Sequence, residues 1–180
     1  MTNLKCTRFK SLRSTTPVEV VDITEVLREI GSEKYRSQVE KIRAEENPSK
    51  SPRKDRLPVF TPTGVFSHRS IAGLSEYNGI ICLDIDGVED ADALKTRAAK
   101  LNYVYGAFVT PSGKGLKVII PTDATADTYK TAELEVADAF ALDAGGVRDN
   151  HCKDISRIQF VSYDPAVYIN ENAITFKTIK

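Results

Sequence analysis

The chain has 180 residues, 41% of them hydrophobic and 28% charged, with 25 basic and 25 acidic side chains in balance. That is about one domain's length with enough apolar residues for a core, which excludes wholesale disorder. No apolar run approaches the roughly 20 residues of a membrane span, and the first ten residues are polar rather than signal-like. Cys6, Cys82 and Cys152 lie scattered without a C-x-x-C pair, which argues against a disulfide framework or a thiolate zinc site. A cytoplasmic protein with no membrane partner is the expectation.

The charge balance hides an asymmetry. Residues 1–56 hold 13 Lys and Arg against 9 Asp and Glu, while 57–180 hold 12 against 16. A basic front on an acidic body suits contact with a phosphate backbone, though ordinary solvated surfaces share this pattern.

Residues 2–10 alternate loosely, as a strand does. Asp22 and Thr24 precede Val26, Leu27 and Ile30, the signature of a capped helix. Residues 32–46 predict a charged helix with Tyr35, Val39 and Ile42 on one stripe. The stretch 47–56, with two prolines and several basic residues, reads as a linker. Residues 57–66 place two short apolar runs around Thr-Pro-Thr-Gly, which predicts a β-hairpin. Residues 80–86 (IICLDID) form an apolar run ending in acids. Residues 90–101 predict a helix with Ala91, Leu94, Ala98 and Leu101 on one face. Strands follow at 105–110 and 116–121, joined by Ser112-Gly-Lys-Gly115, then an alanine-rich helix at 127–142. A strand at 155–163 and edge strands near Tyr168 and 173–179 complete the pattern.

This order, β-α-β-β-α-β, is the split βαβ arrangement. The fold class expected is α+β: an RNA-recognition-like antiparallel sheet with helices on one face, plus an N-terminal α/β extension. The four-residue connection before Leu116 forces an antiparallel pair, since a parallel one needs a crossover of a dozen or more residues. The expected division is a basic extension at 1–56 and a core at 57–180. In the usual strand order, the 80–86 strand lies between the 116–121 and 155–163 strands.

The chemistry concentrates at the end of the 80–86 strand. Asp84 and Asp86, two apart, project from the same face. Adjacent carboxylates repel unless a cation neutralises them, and hard oxygen donors favour Mg²⁺ or Mn²⁺. The alternative is a strand end capped by solvated acids. The expected topology brings Ser112, Gly113, Lys114, Gly115 and Lys117 to the same patch, together with Lys153, Asp154 and Arg157. Asp84, Asp86 and Asp154 are the candidate metal ligands and catalytic acids, in the arrangement that serves phosphoryl transfer. The 112–117 segment offers N–H groups and ammonium charges to phosphates, and Arg157 a guanidinium fork. A plain hairpin turn and a surface ion pair are the structural alternatives. His68 and His151 read as surface histidines, and Tyr103, Tyr105 and Phe108 as core or sheet aromatics.

Four blocks, LPVFTPTGVF, IICLDID, FVTPSGKGLKVIIP and CKDISRIQFVSYDP, together resemble the VirE-type N-terminal domain family over roughly residues 30–176. That family is grouped with the archaeo-eukaryotic primase-like (primase-polymerase) superfamily. The resemblance implies a primase-like core with two-metal nucleotidyl transfer on a DNA template, nucleoside triphosphates as substrates, and a helicase as fused domain or partner. By position, Asp84 and Asp86 match the first acidic motif, the segment from Ser112 to Lys117 the phosphate-binding second motif, and Asp154 the third, with Arg157 as its basic partner. Lys117 stands where the superfamily has histidine. No Walker A loop appears in the chain.

Two other readings compete. One is a catalytically inactive nucleic-acid-binding module of the same fold. The other is a haloacid-dehalogenase-like phosphatase with Asp84 as nucleophile and Asp86 as acid/base, which requires a parallel sheet.

Overall fold

The computed structural model describes residues 4–145 and 154–179. Strand β1 (Lys5–Phe9) is followed by β2 (Glu19–Asp22) and helix α1 (Ile23–Gly31). The Asp22 carboxylate accepts the Thr24 N–H at 2.8 Å, an N-cap of the kind whose loss costs about 1 kcal/mol. A 3-10 turn (Glu33–Tyr35) leads into α2 (Arg36–Arg43), and the expected stripe of Tyr35, Val39 and Ile42 is buried. Two further 3-10 turns, Pro48–Lys50 and Lys54–Arg56, occupy the stretch read as a linker. Next come β3 (Val59–Thr61), β4 (Gly64–Phe66), β5 (Leu74–Tyr77) and β6 (Ile80–Asp86). Helix α3 (Ala91–Ala98), β7 (Gly106–Val109), β8 (Gly115–Pro121) and α4 (Tyr129–Ala144) follow. The short strands β9 (Gln159–Phe160) and β10 (Tyr168–Ile169) come last.

The strands form a sheet in the order β10-β7-β8-β6, a second in the order β2-β1-β3-β9, and the pair β4-β5. All named pairings are antiparallel. The protein is therefore α+β, and the β6-β8-β7 order with its tight β7–β8 hairpin follows the split βαβ pattern. The parallel sheet needed by the phosphatase alternative is not what β6 builds.

Three expectations are corrected. The segment 155–163 does not flank β6. Its only ladder, at Gln159 and Phe160, pairs with β3 in the other sheet, where Val59 and Phe60 offer an apolar edge buried on both sides. The runs within 57–66 are both strands but do not pair as a hairpin: β3 joins β1, and β4 joins β5. The third correction concerns the covered faces. In β8, Leu116, Val118 and Ile120 pack with Leu94 of α3 and Val136 and Phe140 of α4. On the opposite face Ile119, with Ile80, Cys82 and Phe108, packs against Leu27 and Ile30 of α1 and Ile42 of α2. Helices thus cover both faces, because β7 and β8 are apolar on both and neither face tolerates water. Residues on either side of position 57 share a sheet and a core.

Candidate phosphate-handling cleft

Strand pleat decides what reaches the site. Asp84 and Asp86 alternate with Leu83 and Ile85, so they leave β6 on the face that carries Ile80 and Cys82. Asp84 lies directly across from Lys117 of β8, and Asp86 across from Gly115. Cross-strand neighbours of opposite charge attract, and the Lys117 ammonium forms an ion pair with the Asp84 carboxylate. Both residues are buried, Asp84 at 9% and Lys117 at 5% exposure. Asp86, at the strand end, is exposed.

The pair sits in the wall of an open cleft of about 430 Å³. The cleft is walled further by Leu12, Arg69, Asp154, Arg157, Gln159 and Phe160. Asp154 is exposed. Its carboxylate accepts the Ser156 N–H at 2.8 Å and the Ser156 hydroxyl at 2.5 Å, and its carbonyl accepts the Arg157 N–H at 3.0 Å. This closed turn presents Arg157 at the rim. Arg69 is held from the other side, its guanidinium donating to the Leu12 carbonyl.

The structure therefore brings together Asp84, Lys117, Asp154 and Arg157, although they lie far apart in the chain. Ser112, Gly113, Lys114 and Gly115 do not line the cleft. They form the tight β7–β8 turn beside Asp86, and the turn uses its own donors. Gly113 N–H donates to the Thr110 carbonyl at 2.9 Å, and Lys114 N–H approaches the Ser112 hydroxyl at 3.4 Å. Gly113 holds a left-handed φ of 75°. At Gly115 a Cβ would come 2.7 Å from the Ile85 carbonyl, so the β6–β8 approach requires glycine there. Lys153 and His151 lie outside the described residues. His68 is exposed, and Phe108 is fully buried.

Arg43 braces this turn from α2. Its guanidinium donates to the carbonyls of Thr110 at 3.2 Å and Tyr163 at 2.9 Å. Burial lowers its pKa, against the pull of the Asp164 charge.

Among the described residues, no three His, Cys, Asp or Glu side chains gather into a metal-binding group. The donors nonetheless suit Mg²⁺ or Mn²⁺, which are commonly held by one or two carboxylates completed by substrate phosphates rather than by an all-protein cage. Asp84 and Asp86, about 6–7 Å apart along the strand by its rise, supply such carboxylates.

Arg69, Leu12, Gln159 and Phe160 escaped the sequence reading. A lone arginine after His68 carries no periodic or spacing signal, and only the fold brings it to the same cleft as Asp84.

The sequence pattern of the family described as BT4734-like, N-terminal domain matches residues 53–169, more than half of the chain. No curated protein and no solved structure matches the chain. The match overturns assignment to the VirE-type N-terminal domain family and its superfamily. The chain belongs to the BT4734-like N-terminal domain family.

Proposed function

We propose that this domain carries out metal-dependent nucleotidyl transfer on a DNA template during replication, with nucleotide phosphates held in the cleft over Asp84 and Lys117. One observation carries the reading: two acids and two cations from distant segments, Asp84, Lys117, Asp154 and Arg157, line a single cleft. Lys117 acts as a point charge on a phosphate, and Arg157 offers a planar fork to phosphate oxygens. Asp84 and Asp86, with Asp154 lining the same cleft as Asp84, would hold Mg²⁺ or Mn²⁺, which when bound would neutralise phosphate charge and lower the pKa of an attacking hydroxyl. Burial of the Asp84–Lys117 pair lowers the dielectric around those two groups, which strengthens a contact between Lys117 and a phosphate more than one made by the exposed Arg157.

A second reading, binding of nucleic acid without turnover, is favoured by the Lys117 ammonium on Asp84, which balances that carboxylate without a metal ion. One experiment separates the two. Nucleotide incorporation on single-stranded and primed templates is measured with Mg²⁺ or Mn²⁺, beside Asp84→Ala. Incorporation lost in the variant supports transfer. Strand binding with no incorporation by the wild-type protein sinks transfer and leaves the binding module.

A further inference from the structure

The excess positive charge of the first 56 residues is not spread evenly over the surface. Much of its acidic complement is engaged elsewhere: Glu19 and Glu29 pair with Arg8, and Glu33 and Glu40 with Arg36. Asp22 caps α1. Four cations, Lys10, Arg13, Lys41 and Arg56, form no ion pair among the described residues and converge on two neighbouring grooves. The first, of about 230 Å³, is lined by Lys41, Arg53 and Arg56 with Gln38 and Leu57; no acid lines it, but Arg53 is paired with Glu45 at 2.9 Å. The second, of about 490 Å³, is lined by Lys10, Arg13 and the same Arg56, with Asp55 as its one acid.

These grooves run up to the cleft. The loop that gives Lys10, Ser11 and Arg13 to the second groove gives Leu12 to the cleft. Backbone holds the loop in place, since Leu12 N–H donates to the Asp55 carbonyl at 3.2 Å. Between the grooves and the cleft, the Lys54 ammonium lies 5.5 Å from the centre of the Phe160 ring, which lines the cleft.

We propose that Lys10, Arg13, Lys41 and Arg56 form a track for the phosphate backbone of single-stranded DNA, leading one end of the strand to the Asp84–Lys117 cleft. The juxtaposition of two basic grooves with a recessed charged cleft carries this assignment. A single strand is the fitting polyanion because the Asp84–Lys117 pair in the cleft wall is nearly buried. A duplex keeps its phosphates on the outside of a stiff cylinder, whereas a flexible strand can turn into a recess, and a basic groove leading to an aromatic ring, here Phe160, is one way such strands are held. The proposal deepens the reading of the cleft as a site of templated transfer and rests on it only for the polarity of the track.

The test is fluorescence anisotropy of a labelled oligothymidylate against the full chain over a salt series. Four phosphate contacts on a single strand give a log–log salt slope near −2.8, or about 50-fold weaker binding between 50 and 200 mM salt. Lys41→Gln with Arg56→Gln removes two contacts, so the slope should fall by about half, leaving about a sevenfold change over that range. Lys100→Gln with Lys130→Gln, exposed cations just after α3 and in the first turn of α4, serves as the charge-matched control and should keep the wild-type slope. An unchanged slope in the double variant, an equal change in the control, or equally tight binding of a duplex overturns the track. Nucleotide incorporation is read separately: wild-type protein that shows the slope but incorporates nothing sinks the transfer reading and leaves the track standing.

Discussion

Two buried Lys–Asp pairs stand among the described residues, and their surroundings differ. Asp164 is closed in on every side. Its carboxylate accepts from Lys95 at 2.6 and 2.8 Å, from the Val109 N–H at 2.8 Å and from the Ala166 N–H at 3.1 Å. Lys95 also reaches Asp92 one turn earlier on α3 at 2.8 Å. The result is a staple joining α3, β7 and the C-terminal segment. Asp84 and Lys117 are nearly as buried, but they face each other across one sheet and form the wall of a cleft with Arg157 and Arg69 around it. The same pair of residue types fastens the core in one place and meets the outside in the other. Burial alone does not separate structure from function; what surrounds the pair does.

Asp164→Ala should give the largest effect on stability. It strands a buried ammonium and the Val109 N–H, and breaking such a pair costs about 3–5 kcal/mol. Urea unfolding measures this, and a loss under 1 kcal/mol would mean that Asp92 alone satisfies Lys95. Asp84→Ala should cost less, about 1–2 kcal/mol, because the Lys117 ammonium can turn toward water in the cleft, yet it should abolish incorporation. A stability loss matching that of Asp164→Ala would erase the contrast between the pairs. Replacing both partners, Asp84→Asn with Lys117→Met, should bring stability to within about 1 kcal/mol of wild type, since buried ion pairs add little over neutral isosteres. Incorporation surviving in that double variant would remove the cleft from the chemistry.

Smaller effects test the supports. Gly113→Ala forces a side chain into left-handed backbone and should cost about 1 kcal/mol, with the melting temperature as readout and no change at Asp84. A pH effect belongs to Glu29. Burial pushes its carboxyl up, but hydrogen bonds from Lys34 and Tyr35 and the charge of Arg8 together hold it below the usual carboxylate range. A carboxyl depressed in the fold stabilises fully above its unfolded value, and the contribution is lost as pH falls through the folded one. Glu29→Gln should therefore flatten the acid limb of the stability curve. An unchanged limb would assign acid sensitivity to other carboxylates.

Most elements were legible as residues. Ile80–Asp86 is the strand read from its apolar run, the Asp22 cap starts α1, and the stripe of Tyr35, Val39 and Ile42 is buried on the helical side read from its spacing. The 155–163 stretch was less so, because alternating apolar residues state that a strand forms and not which edge it joins. The site was half legible. Asp84 and Lys117 meet because a short hairpin sets the register of β8, and β8 pairs with β6. Of the 112–117 segment, Lys117 lines the cleft and Ser112, Gly113, Lys114 and Gly115 do not, because they form the tight β7–β8 turn, in which Gly113 N–H donates to the Thr110 carbonyl.

Local sequence by itself determined the helices, the caps, the glycine turn and the face on which Asp84 and Asp86 stand, because side-chain period and backbone sterics act over a few residues. Only the tertiary structure decided that residues 5–9 and 159–160 flank β3 in one sheet and that helices cover both faces of the other. It also carried Arg69 and Arg157 to one cleft. Those outcomes depend on which apolar faces exclude water together, and that competition runs over the whole chain at once.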